Sequence, residues 1–146
     1  MPVPALPCAC AGLRRAARAV TRLYDAALRP TGLRSTQFAL LQALTMAGGP
    51  LTQGTLGDIL ALDTTTLTRT LRPLEDAKWI RSFPGADSRE RYLELTPLGR
   101  RLLERATPAW ERAQRQLEEM LGSRDWAVLE RVTRAAVTAA RGAAPE

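Results

Sequence analysis

The side chains in this 146-residue sequence that could do chemistry are mostly arginines and threonines, and the most telling of them lie between Thr64 and Thr96. Thr64, Thr65, Thr66, Thr68, Arg69 and Arg72 are interleaved with Leu67, Leu71 and Leu74. That spacing places the leucines on one stripe of a helix and the polar set on the remaining arcs. Further on, Asp87, Arg89 and Arg91 alternate through a turn-rich stretch before Tyr92-Leu93-Glu94-Leu95. A guanidinium is a planar fork of donors that fits phosphate oxygens or the O6 and N7 of guanine, and a threonine offers a hydroxyl for either base type and a methyl for thymine. These groups recognise anions and base edges; they do not make or break bonds. The chain has no histidine, and no nucleophile–base pair, metal-ligand set or glycine-rich phosphate loop stands out, so the expectation is a binding protein, not an enzyme, without cofactor or metal.

Two cysteines, Cys8 and Cys10, are too few and too close for a disulfide framework. Separated by one residue, they close only a strained ring, so a redox role would favour pairing between subunits. The other reading is two inert thiols at a helix start.

Several helices and one hairpin must position these groups. Leu13, Ala16, Ala17, Val20, Leu23, Tyr24, Ala27 and Leu28 recur at helical spacing from about Ala11 to Arg29, and Pro30-Thr31-Gly32 stops that helix. Ser35 is placed to cap a second helix with Phe38, Leu41 and Leu44 inward, ending at Gly48-Gly49-Pro50. Thr52 and Asp63 then mark two matched starts, each with a leucine before the cap and another at the fourth helical position, a hydrophobic staple. Two short helices, Thr52–Leu60 and Asp63–Lys78, joined by so tight a turn are a helix-turn-helix candidate. Gly57 inside the first of them points to close helix approach, and Pro73 in the second removes the hydrogen bond to the Arg69 carbonyl.

Trp79–Phe83 reads as one strand, and the stretch from Asp87 starts as a turn-rich tip and becomes an alternating strand with Leu93 and Leu95 on one face, which makes a hairpin with arginines at its tip. Asp87 and Arg91, four apart across the turn, are expected to pair and to aim Arg89. Thr96 and Pro97 open a long helix to about Leu121 with Leu103, Ala106, Trp110, Ala113, Leu117 and Met120 on a stripe. Pro108 should kink it. Ser123 caps a last helix bearing Trp126, Leu129, Val132, Ala136, Val137 and Ala140, and the tail 142–146 is expected to fray.

Composition agrees and adds little. The hydrophobic content of 45% and charged content of 25% are ordinary for a single globular domain. The net charge of +6 admits an anionic partner, but it is spread as +3 over residues 1–63, +1 over 64–96 and +2 over 97–146. Of the basic residues only Lys78 is lysine, a bias that high-GC coding also produces. No apolar run approaches a membrane span and no secretory signal opens the chain, so a cytoplasmic protein without membrane contact is expected.

The pattern Asp87-x-Arg89-x-Arg91-x-x-x-Leu95-Thr96-x-x-Gly99, following the capped helix pair, closely resembles the wing of the multiple-antibiotic-resistance regulator (MarR) family, and the resemblance runs from the Leu13-Arg14-Arg15 helix to the last. It implies a mainly α fold with a small β-hairpin wing: four helices, the wing, then two more helices. Residues 11–34 and 97–141 would be dimerisation helices and 35–96 the winged helix-turn-helix. By position, Thr64 through Arg69 resemble the major-groove readers and Arg89 the minor-groove arginine, with Asp87 and Arg91 bracing it. The implied function is sequence-specific regulation of transcription by a homodimer on double-stranded DNA, as a repressor of a pseudo-palindromic operator. A small anionic or phenolic effector would sit in a pocket lined by the first, second and fifth helices, with Arg14, Tyr24 or Trp110 as candidates. Other branches of the family sense oxidants through N-terminal thiols, which gives Cys8 and Cys10 an alternative role as a redox switch.

Overall fold

The computed structural model describes residues 3–87 and 89–143; Ser88 of the wing tip and the tail residues 144–146 lie outside the described residues. The elements in chain order are α1 (Ala9–Leu28), a 3-10 turn (Arg29–Thr31), α2 (Ser35–Met46), β1 (Leu51–Thr52), α3 (Gln53–Leu60), α4 (Thr64–Asp76), β2 (Ile80–Pro84), β3 (Arg91–Leu95), α5 (Pro97–Leu121) and α6 (Ser123–Ala143). The result is a mainly helical winged helix-turn-helix.

Local chemistry sets most boundaries. The Thr52 side chain accepts from Thr55 N–H at 3.0 Å, that of Asp63 from Thr66 N–H at 2.9 Å, and that of Thr96 from Gly99 N–H at 3.0 Å, so three helix starts satisfy a backbone donor that has no partner within the helix. The second helix departs from expectation. Ser35 is its first helical residue, and the cap comes from α1: Asp25 Oδ1 accepts from both the N–H and the hydroxyl of Ser35 at 2.7 Å. Helix α1 begins earlier than its apolar period, with Cys8 at the N-cap and Cys10 already in the first turn. Helix α6 runs through Ala143, so the expected fraying at 142–146 does not apply to Gly142 and Ala143.

The sheet has three antiparallel strands in the order β1-β3-β2, one more than the expected hairpin. The extra strand is the two-residue β1, pairing Leu51 with Leu93 and Thr52 with Tyr92. Between β2 and β3, Ile80 faces Leu95 and Ser82 faces Leu93. Leu93, Leu95 and Ile80 are buried and join Phe38, Leu40 and Leu41 of α2, Leu56 of α3, Leu67, Leu71 and Leu74 of α4, and Leu102, Leu103 and Ala106 of α5 in one core. Each fully buried leucine contributes roughly 1.5–3 kcal/mol.

The terminal helices are different. In α1 only Leu28 is buried, and α6 buries none of its described residues. Leu13, Val128, Leu129, Val132 and Val137 are exposed, as is Met120, which was expected inward and is 76% exposed. These apolar stripes have the right period, but one chain does not cover them.

Candidate nucleic-acid interface

Helix α4 turns its leucines into the core and presents Thr64, Thr65, Thr66, Thr68, Arg69 and Arg72 to solvent. Its N-terminus is fixed by a tight turn. Leu62 N–H donates to the Gly57 carbonyl at 2.9 Å, and a Cβ on Gly57 would stand 3.1 Å from the Leu62 carbonyl oxygen and 3.4 Å from Leu67 Cδ2. The close approach that the sequence implied at Gly57 is therefore with the turn and the second helix together.

The threonines are not equivalent. The Thr66 hydroxyl donates to Asp63 Oδ2 at 2.6 Å. That bond, with the Thr66 N–H, holds the Asp63 carboxyl below its ordinary pKa, so it stays an anion at the positive end of the helix dipole. The Thr68 hydroxyl donates to the Thr64 carbonyl at 2.8 Å and accepts from Gln53 Nε2 at 3.1 Å. Thr66 and Thr68 thus spend their hydroxyls on the protein, whereas those of Thr64 and Thr65 have no protein partner among the described residues. Gln53 was not foreseen: its partner lies 15 residues away, and nothing local marks the contact.

The hairpin tip is ordered by Asp87. Its Oδ1 accepts from Arg89 N–H and its carbonyl from Glu90 N–H, both at 3.0 Å, and Gly85 N–H donates to the Glu90 carbonyl at 2.9 Å. The expected Asp87–Arg91 ion pair is replaced by others. Arg91 shares the inward strand face with Leu93 and Leu95, so its guanidinium reaches Glu75 Oε1 in the last turn of α4 at 3.5 Å and donates to Ser82 Oγ. On the outward face Phe83 and Tyr92 stack at 5.9 Å and Arg81 pairs with Glu94. Arg89 is left exposed at the tip. A cleft of about 570 Å³ separates wing from helices, lined by Gln53, Asp63 and Thr64 on one side and Arg89, Glu90 and Arg91 on the other.

The three residues considered for an effector are not gathered in one place. Arg14 is exposed. Trp110 stacks on Phe38 with centroids 5.5 Å apart, against the core. The Tyr24 hydroxyl donates to Gln114 Oε1, and burial pushes its pKa above the usual tyrosine value. Tyr24 also lines an apolar cleft of about 680 Å³ between α1, α5 and α6, with Leu13, Val20, Leu117, Trp126 and Leu129; Trp110 does not line it. Cys8 and Cys10 are both free and exposed. Among the described residues no helix is long and apolar enough to cross a membrane, and no group of three His, Cys, Asp or Glu could hold a metal ion.

A staple-capped helix pair, the second helix exposing arginine and threonine, beside a hairpin with an arginine at its tip, defines a winged helix-turn-helix protein of the transcription-regulator class. Residues 31–90 match the model of the MarR family. The chain is 36% identical to the M. tuberculosis transcriptional regulator MosR, solved in complex with DNA, covering 92% of this chain and 97% of that one with a TM-score of 0.84. The chain belongs to the MarR family. It is also similar to the PcaV transcriptional regulator from Streptomyces coelicolor, solved in complex with its natural ligand (26% identity, 96% of this chain and 99% of that one, TM-score 0.80). A curated relative in Bacillus subtilis (strain 168), an uncharacterized HTH-type transcriptional regulator called YwoH, is 33% identical over 84 residues. That match spans 58% of this chain and 61% of the length of YwoH.

Proposed function

We propose that the protein is a homodimeric repressor that binds a pseudo-palindromic duplex and is released by a small anionic or phenolic effector. The observation that carries the DNA reading is the shared cleft. The N-terminal turn of α4 and the wing-tip Arg89 line the same open space, so one subunit can place a helix in a major groove and an arginine in the adjacent minor groove. In this reading Thr64, Thr65, Arg69 and Arg72 face bases and phosphates, and Thr66, Thr68 and Arg91 serve the shape of the interface. Residues 11–34 and 97–141 supply the dimer. Their uncovered apolar faces support that role, because a second copy buries them. The solved relative MosR is in complex with DNA and the PcaV structure holds a ligand; both favour the same assignments here. Selection from a random duplex pool tests the reading. The expected result is a pseudo-palindrome with half-sites about 10 bp apart; recovery of no preferred sequence would count against it.

A second reading is carried by Cys8 and Cys10, which sit exposed at the start of α1, a helix placed at the dimer. Two thiols one residue apart at a helix start are better placed to pair with the other subunit than with each other, and such a link would change how the dimer presents its recognition helices. The test is DNA binding after peroxide. Loss of binding that dithiothreitol restores, and that is absent in Cys8→Ser, would establish a redox switch. Neither cysteine contributes to the core, so a Cys8→Ser/Cys10→Ser variant is expected to fold and to bind DNA under reducing conditions.

A further inference from the structure

The wing is a lever with a short foot. On one side it is joined to the helical body by β1, which ends its pairing at Thr52 with Tyr92. Residue 91 is the first beyond that pair and, opposite Pro84, it is the last of the hairpin's two-stranded ladder before the tip. Its next tie to the body is made by Arg91, whose guanidinium turns inward to Glu75 in the last turn of α4 and to Ser82 on β2. That end of α4 is opposite to the turn bearing Thr64 and Thr65, so although Arg91 lines the cleft beside Arg89, its guanidinium is drawn toward the far end of α4.

We propose that Glu75 is a positioning residue for the wing: its carboxylate holds Arg91 beneath the hairpin and so sets the angle at which Arg89 is carried beside α4. The role rests on the DNA reading only in what the angle is for. The latch itself is a property of the free protein. An exposed ion pair does little for folding free energy, so its effect lies in geometry. Arg91 adds a side-chain tie between the last turn of α4 and the hairpin on the tip side of the knot where they already join, and Asp87 then fixes the tip at the far end of the same lever. The alternative is that Glu75 merely restrains an arginine whose destination is a phosphate. The two differ in sign: removing Glu75 weakens DNA binding if Arg91 is a brace and strengthens it if Arg91 is a phosphate contact held back.

The experiment measures the lever without DNA and then with it. Nitroxide labels on Met46→Cys in the body and Ala86→Cys near the tip, in a Cys8→Ser/Cys10→Ser chain diluted with unlabelled protein, report one intrachain distance. Glu75→Gln, which keeps the size and removes the charge, is expected to broaden that distance distribution, and the exchange Glu75→Arg/Arg91→Glu to narrow it again. A Glu75→Gln distribution that superposes on the parent overturns the proposal. On the selected duplex, Glu75→Gln is expected to weaken binding on the order of threefold to tenfold, and Arg89→Ala to cost less in that background than alone, the non-additivity of coupled residues. Tighter binding of Glu75→Gln on every duplex also overturns it. A broadened distance with unchanged affinity upholds the latch and counts instead against the wing as a DNA contact.

Discussion

Gly99 packs directly on the backbone of Trp79: a Cβ at position 99 would fall 2.0 Å from the Trp79 carbonyl oxygen and 2.8 Å from its carbonyl carbon. The same carbonyl accepts from Thr96 N–H at 3.0 Å, and the Thr96 hydroxyl donates to the Lys78 carbonyl at 2.6 Å. The end of α4, the foot of the wing and the start of α5 therefore converge on one knot, which gives the terminal glycine of the wing motif a physical reason. Its role is space; no unusual backbone angle is involved.

Gly99→Ala should accordingly be among the most damaging single-methyl additions in the chain. The clash is with backbone, which cannot rotate away as a side chain can. A loss of about 3 kcal/mol or more is expected, the upper end of overpacking costs, read as a lower urea midpoint with unchanged slope. A midpoint within error of the parent would show that α5 slides without cost and that the knot does not fix the wing.

The cap at Asp63 makes a pH-dependent prediction. Its carboxyl is held below the ordinary value by the Thr66 hydroxyl, the Thr66 N–H and other backbone contacts. A carboxyl with a lowered folded-state pKa adds stability that is fully present above its unfolded value and is lost as pH falls through the folded one. The parent should therefore exceed Asp63→Asn in stability at neutral pH by a constant margin, and the margin should shrink only below the ordinary carboxylate range. Urea midpoints for both proteins across a pH series check this. A margin that does not change with acid would assign the cap to hydrogen bonding alone, without a charge contribution.

How far the sequence could be read depended on how local the determining contacts are. Thr52, Asp63 and Thr96 each cap a helix through a bond to the residue three further on, so residue type and spacing sufficed. The cap on Ser35 comes from Asp25, ten residues back across a turn, and no local pattern announces it. Strand β1 is only Leu51–Thr52, too short to alternate, and exists because Leu93 and Tyr92 offer an open edge. Proximity in sequence pairs Arg91 with Asp87. The strand period puts Arg91 on the inward face instead, where Glu75 waits 16 residues upstream in the chain. Met120 continues the apolar period of α5 yet is exposed, because periodicity reports an apolar face without saying whose surface covers it.

That uncovered surface predicts obligate assembly. Leu129 and Val137 on α6 are exposed and line the apolar cleft with α1 and α5. If a second copy fills it, Leu129→Glu/Val137→Glu should dissociate the dimer, since each buried anchor of this kind is worth about 2 kcal/mol or more of association. Both side chains lie outside the core of the chain itself, so helical content should persist. Analytical ultracentrifugation of the parent should give a dimer at micromolar concentration, and of the variant a shift to monomer. A parent that sediments as a monomer would remove the two-fold arrangement on which a palindromic site depends.

The arginines should divide by role on DNA. Arg69 is exposed on α4 one turn beyond Thr64 and Thr65, and on the proposed DNA reading it would meet base edges. Arg69→Ala is expected to cost about 1–3 kcal/mol on the preferred duplex and to relax discrimination at particular positions. Arg89 stands at the wing tip; on the proposed DNA reading it would enter a minor groove, which carries a degenerate code but a strong negative potential. Arg89→Ala should therefore weaken binding across all duplexes and reduce the slope of log affinity against log salt by about one unit for a lost phosphate contact. Asp87→Ala should reproduce part of that loss without removing a positive charge, because the Asp87 carboxylate accepts the Arg89 N–H and orders the tip. Isotherms for the three variants on the selected site, on point-mutated sites and on random duplex, each at several salt concentrations, separate these effects. If Arg89→Ala left both affinity and salt slope unchanged on every duplex, the wing would not be touching DNA, and the exposed arginines of this domain would have to be assigned to contacts with another protein.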